Sequence, residues 1–198
     1  MNLNTALPIK HTRSLLSSAE VCVHNYQDLI VLFNATFTET ENTVLVKGDQ
    51  EPIYIPAKNT AQNHQVVFAH GYFASGLHEI AHWCIAGKQR RLLEDYGYWY
   101  CPDGRDAKQQ TEFEKVEVKP QAIEWAFSCA SGKPFAVSTD NLNGAAGDTQ
   151  GFQDAVKQQV LFYLAHGFPP RAALFIDVLQ DFYKTDNLNR EMFDVAAA

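Results

Sequence analysis

From His24 onward the apolar residues fall into runs of definite period. Tyr26, Leu29, Ile30, Phe33 and Phe37 recur at i, i+3, i+4, i+7 and i+11, one stripe of an amphipathic helix. Val44–Lys47 and Ile53–Ile55 are short β-branched runs separated by Gly48-Asp49-Gln50-Glu51-Pro52, which predicts a hairpin or two loosely joined strands. Val66, Val67 and Phe68 predict another short strand running into His70-Gly71. Beyond it, Phe73, Leu77, Ala81 and Cys84 return to helical spacing, with Gly87 placed to end that helix as a left-handed cap. A dense aromatic run, YGYWYC, closes at the turn signal Pro102-Asp103-Gly104. Residues from about 110 to 131 predict a helix with a kink or restart at Pro120, because proline lacks the ladder N–H. A Gly/Asn/Asp loop over 140–151 precedes two more helices, 151–166 ending at Gly167 and 171–184 after Pro169-Pro170. Residues 1–23 are polar and aperiodic and are expected to form a poorly ordered extension; no internal repeat is visible.

Composition narrows the class. With 198 residues, 46% of them hydrophobic and 20% charged, the chain suits one globular domain with a substantial core. A net charge of −7 argues against an enveloping grip on nucleic acid, which needs clustered Lys and Arg, so no direct nucleic-acid partner is expected. The apolar stretches are too short to cross a bilayer, and the N-terminus lacks the apolar core of a secretory signal. Cys22, Cys84, Cys101 and Cys129 are widely spaced with no C-x-x-C. They are expected to be thiols in a cytoplasmic protein.

The chemistry centres on His78-Glu79-Ile80-Ala81-His82. Imidazoles at i and i+4 share one helical face and can ligate one metal ion. A third protein ligand is expected for a catalytic zinc or a mononuclear iron. No further histidine follows in the metzincin spacing, so a carboxylate is the better candidate. Glu114, Glu117, Gln121 and Glu124 step along one face of the 110–131 helix. Glu117, flanked by Val116 and Val118, is the acid expected to turn inward, with Glu114 and Glu124 expected on a solvated face. Two histidines and a carboxylate serve an iron oxygenase and a zinc hydrolase equally well. In the hydrolase Glu79 would be the general base; in the oxygenase it need only orient ligands or substrate. The absence of any H-x-D or H-x-E removes the ligand pattern of the 2-oxoglutarate oxygenases, so that co-substrate is not expected.

The strings FAHGYFASGLHEIAHWCIAGKQRR, DYGYWYCPDGRD and FEKVEVKPQAIEW, with KGDQEPIYIPA upstream and DNLNG downstream, resemble the elongation factor P hydroxylases. The likeness runs from about His24 to Phe193. It implies an iron-dependent monooxygenase-type hydroxylation, with dioxygen as co-substrate, of elongation factor P carrying β-lysyl-lysine. It also implies Fe(2+) held by the residues matching His78, His82 and Glu117. Tyr96, Tyr98, Trp99 and Tyr100 are candidates to wall an aromatic slot for an ammonium group, and Asp103 and Asp106 to meet its charge. His70, Trp83, Cys84 and Cys101 are read as core residues, and Lys88, Arg90 and Arg91 as a basic docking patch. The expected fold is α+β: a single mainly helical domain over 24–198 with a small β-sheet, its HExxH helix packed beside the Glu117 helix in a zincin-like manner. The rivals are a small zinc peptidase and a non-catalytic binder of an elongation factor.

Overall fold

The structure, a computed structural model, describes residues 24–95, 104–139 and 149–194. Among them are five α-helices and a three-stranded sheet, an α+β arrangement in which helix predominates. The first helix, α1 (Tyr26–Glu41), starts at Asn25, whose side chain accepts from Gln27 N, and stops at Asn42 in the left-handed region. Its predicted stripe supplies the fully buried Leu29, Phe33 and Phe37.

The strands β1 (Thr43–Lys47), β2 (Ile53–Ile55) and β3 (His64–Phe68) lie in the order β1-β3-β2. β1 runs parallel to β3 and β2 antiparallel to it. The hairpin reading is therefore corrected: β1 and β2 do not pair. After β1 the chain stays on β3, with Gly48 N donating to Phe68 O at 2.8 Å and His70 N to Gly48 O at 3.0 Å. That leaves the opposite edge of β3 for β2. Leu45, Val66 and Phe68 alternate inward onto the helices.

Helix α2 (Phe73–Ile85) buries Phe73, Gly76, Leu77, Ile80, Ala81, Trp83 and Cys84, which leaves His78, Glu79 and His82 on its other side. Gly76 is required by proximity, since a Cβ there would stand 2.5 Å from Leu29 Cδ2 of α1. The helix does not end in a left-handed Gly87. Ala86 is extended (φ −63°, ψ 120°), and Arg171 Nη2 donates to Trp83 O, Cys84 O and Ala86 O at 2.8, 3.1 and 2.7 Å. A guanidinium from another helix thus satisfies the orphan carbonyls that a glycine motif would have served. The same guanidinium stacks 4.5 Å over the Trp83 ring.

Helix α3 (Ala107–Ser131) opens on a capping box between Asp106 and Gln109 and closes on Gly132 at φ +70°. It runs through Pro120 without interruption, so no restart occurs there. Helices α4 (Thr149–His166) and α5 (Pro170–Tyr183) complete the set, with short 3-10 turns at Arg90–Leu92 and Arg190–Phe193. The long α3 packs against α2, α4 and α5. One continuous buried cluster joins α1, the sheet and all four later helices, including an aromatic knot in which Trp83 contacts Phe33 and Phe37 at centroid distances of 5.1 and 4.8 Å. No helix among the described residues is long and apolar enough to cross a membrane.

Candidate metal centre

The polar side of α2 faces α3, and their contact builds the site. His78 and His82, one turn apart, bring their Nε2 atoms to 3.0 Å. From α3, Glu117 places Oε1 3.2 Å from His82 Nε2 and Oε2 3.6 Å from His78 Nε2. All three ligand atoms lie within 4.8 Å of one another. Bonds of about 2.1 Å to a common ion would separate neighbouring donors by about 3.0 Å in octahedral and about 3.4 Å in tetrahedral geometry. The triangle fits either. Glu117 is almost fully buried, its side chain 3% exposed, and its Oε2 has no hydrogen-bond partner. A buried carboxylate oxygen left so is costly, and a cation at the centre of the triangle would relieve the cost.

Glu124, two turns beyond Glu117 on α3, was expected on a solvated face. Its Oε2 instead lies 2.9 Å from His78 Nδ1, in a setting where its side chain is only 14% exposed. A proton on Nδ1 donated to this carboxylate leaves Nε2 free for a metal, the usual support of a ligating histidine. Glu114 is not part of the centre: it accepts from Gln110 Nε2 at 3.0 Å.

The titration of the site follows from this crowding of charge. Burial alone would lower the His78 imidazole, but the carboxylates of Glu124, Glu117 and Glu79 outweigh it and raise it to about 10. Burial would raise Glu117, yet His82 and His78 hold it down at about 2. Glu79 is raised, chiefly by burial and further by Glu117 and Glu124, against the pull of both histidines.

A cleft of about 360 Å³ opens beside the triangle, lined within by Tyr54, Glu79, His82, Trp83, Glu117 and Pro120. Arg90, Arg91, Asp95, Lys115 and Lys119 also border it. Arg90 pairs with Asp95 and Arg91 with Glu41 at 2.7 Å, so two of the three predicted patch cations are tied into the framework. Tyr54 and Asp95 reach the cleft through their backbone pairing, Tyr54 N to Asp95 O at 2.8 Å. Neither residue carries a motif that would have marked it in the sequence. Glu124 did carry a signal, its seven-residue spacing from Glu117, which keeps both on one face.

The other predicted positions divide. Tyr96, Tyr98, Trp99, Tyr100, Cys101 and Asp103 lie outside the described residues. Asp106 is exposed and serves as the N-cap of α3, accepting from Gln109 N at 2.8 Å. Trp83 and Cys84 are buried as expected. His70 is not a core residue: it is exposed at a positive φ of 52°.

Fold and donor set together define a helical α+β protein in which two histidines and one carboxylate could hold a metal ion beside a cleft. The family model for elongation factor P hydroxylase matches residues 32–193, a span that holds the centre and the cleft. The elongation factor P lysine hydroxylase of Haemophilus influenzae is 52% identical over 173 residues, covering 87% of this chain and 97% of that protein. The chain belongs to the elongation factor P hydroxylase family.

Proposed function

We propose that this protein is an oxidoreductase that hydroxylates the β-lysylated lysine of elongation factor P in the cytoplasm, using Fe(2+) held by His78, His82 and Glu117 and dioxygen as co-substrate. The observation that carries the reading is the convergence of three donor atoms, one of them a buried unpartnered carboxylate oxygen, beside a cleft within a family-matched chain. The packing of the HExxH helix beside the glutamate helix supports a zincin-like frame for that centre. When bound, iron(II) would supply the redox chemistry that inserts an oxygen atom into a C–H bond, which no side chain here can do. The balance, one C–H bond and one dioxygen with two electrons and two protons giving an alcohol and water, calls for a two-electron donor.

The chain's own residues bind, orient and exclude water. Glu124 holds the His78 ring so that Nε2 faces Glu117. Trp83, Tyr54 and Pro120 give the cleft apolar walls that suit the methylene stem of a lysine. Glu79, half-buried on the wall beside His82, is placed to accept a hydrogen bond from an ammonium group of the substrate. Tyr98, Trp99, Tyr100 and Asp103 remain proposed contacts to the modified lysine, on the likeness of their segment alone; Asp106 is proposed only for the rim, given its capping role.

The test is metal analysis of the purified protein and of His78→Ala, His82→Ala and Glu117→Ala. One iron per chain in the parent and loss of iron with hydroxylation in all three variants is expected. Iron retained at full occupancy in Glu117→Ala would remove that residue from the centre.

A further inference from the structure

We infer that the surface around the cleft mouth, where Leu92 and Leu93 follow the lining residues Arg90 and Arg91 and where α3 brings Lys115 and Lys119, docks an acidic, partly apolar protein segment that flanks the side chain entering the cleft. The inference rests on the proposed function, because it takes the substrate to be a lysine side chain carried by a folded protein.

Leu92 and Leu93 are 64% and 65% exposed. They do not belong to a loose loop. Leu92 N donates to Gln89 O at 3.2 Å and Leu93 N to Arg90 O at 3.1 Å. Tyr54 Oη donates to Arg91 O at 3.0 Å, and Arg91 is pinned to Glu41 at 2.7 Å. Asp95 then exchanges backbone bonds with Tyr54 at 2.8 and 3.1 Å. The turn is tied on both sides and still presents two adjacent leucines to water, immediately after two residues that border the cleft. Adjacent apolar anchors on a rigid, cation-bearing edge are the composition of an interface core rather than of an ordinary surface.

Charge identifies the occupant. Lys119 is exposed and has no ion-pair partner among the described residues, and the same holds for Lys88 beside Gly87 at the end of the cleft. Among the described residues Lys115 pairs with Glu112 of its own helix, with both side chains more than half exposed, at 62% and 64%, a pairing that water screens. Among the ionisable residues that line the cleft, Glu117 is buried and Glu79 and His82 are half-buried, whereas Lys115 and Lys119 are exposed and Asp95 is paired with Arg90. Cations at the lip and carboxylates at the floor select an acidic surface that carries one long cationic side chain. They disfavour a free basic peptide, which the lip would repel. Because the whole chain carries −7, an acidic partner is repelled at long range, and attraction must come from this local patch.

The test pairs Lys115→Glu/Lys119→Glu with Leu92→Ser/Leu93→Ser, each measured for binding of β-lysylated elongation factor P to the iron-loaded enzyme without dioxygen. Both double variants are expected to bind at least tenfold more weakly while keeping one iron per chain. Affinity of the parent should fall with added salt, and that of the lysine variant should depend on salt much less. Unchanged affinity in either double variant overturns the docking surface, as does a parent that is dimeric in solution and becomes monomeric in the leucine variant. Binding without dioxygen involves no turnover, so its outcome is separate from whether the parent hydroxylates the partner when dioxygen is admitted.

Discussion

Glu124 Oε2 and His78 Nδ1 stand 2.9 Å apart across the α2–α3 contact, and this bond decides which nitrogen of His78 faces the centre. A metal centre built from two adjacent helices needs its donors aimed as well as present. Glu124→Ala should therefore weaken iron binding by about 10- to 100-fold, the usual cost of removing such a partner. Glu124→Gln, which keeps an acceptor oxygen, should lose less. Glu114→Ala should leave iron affinity unchanged, since Glu114 bonds to Gln110 instead. Competition with a chelator measures all three, and equal affinity in Glu124→Ala and the parent would contradict the role.

Glu79 separates an oxygenase from a hydrolase. A zinc-bound water would need Glu79 as its base, and Glu79→Gln would then cost on the order of 10²–10⁴ in rate. Hydroxylation by iron and dioxygen does not need that base. Glu79→Gln should retain measurable hydroxylation with a raised KM, because the substrate ammonium loses a charged partner. Zinc in place of iron should abolish the activity, as zinc has no redox chemistry.

The metal-free protein should show a definite pH dependence. His78 is raised from 6.5 to about 10, so its protonated form stabilises the fold fully below about pH 6.5, and that contribution is lost as pH rises toward 10. Glu117 is lowered from 4.5 to about 2, so its contribution is present above about pH 4.5 and is lost as pH falls toward 2. Thermal unfolding of metal-free protein should shift to lower temperature between pH 7 and pH 10. In His78→Ala that alkaline decline should be smaller. A metal-free midpoint that holds steady from pH 7 to 10 would refute the charged His78–Glu124 pairing.

Two of the cysteines should be silent to alkylation. Cys84 and Cys129 are free thiols; burial lifts Cys129 to about 11 and Cys84 higher still. At pH 8 about one Cys129 in a thousand would be a thiolate. Peptide mapping after brief iodoacetamide treatment should find both unmodified in the folded protein and both modified in denaturant. Rapid labelling in the folded state would contradict the burial of Cys84 or the raised thiol of the half-buried Cys129.

The sequence made the helices legible because their cores are local patterns. The i, i+3, i+4 stripe of α1 and the HExxH spacing of α2 each need only one turn of helix to be meaningful. Strand pairing was not legible, because β3 comes last in the chain but sits in the middle of the sheet, and nothing in β1 or β2 encodes that insertion. The end of α2 differs from the glycine cap its sequence predicts for a related reason: its carbonyls are capped by Arg171, 85 to 88 residues away. The apolar neighbours of Glu117 point it inward, whereas Glu124 leaves the solvated face through a bond that is not local. Its partner lies 46 positions earlier, on a helix whose packing partner the sequence could only suggest.

The most direct measurement is the mass of β-lysylated elongation factor P after incubation with iron-loaded protein, a reductant and ¹⁸O-labelled dioxygen. A gain of one labelled oxygen atom on the modified lysine is predicted, absent without dioxygen and absent with His82→Ala. An unchanged mass with iron bound and dioxygen present, or cleavage of the partner by zinc-loaded protein that depends on Glu79, would contradict hydroxylation at the His78–His82–Glu117 centre.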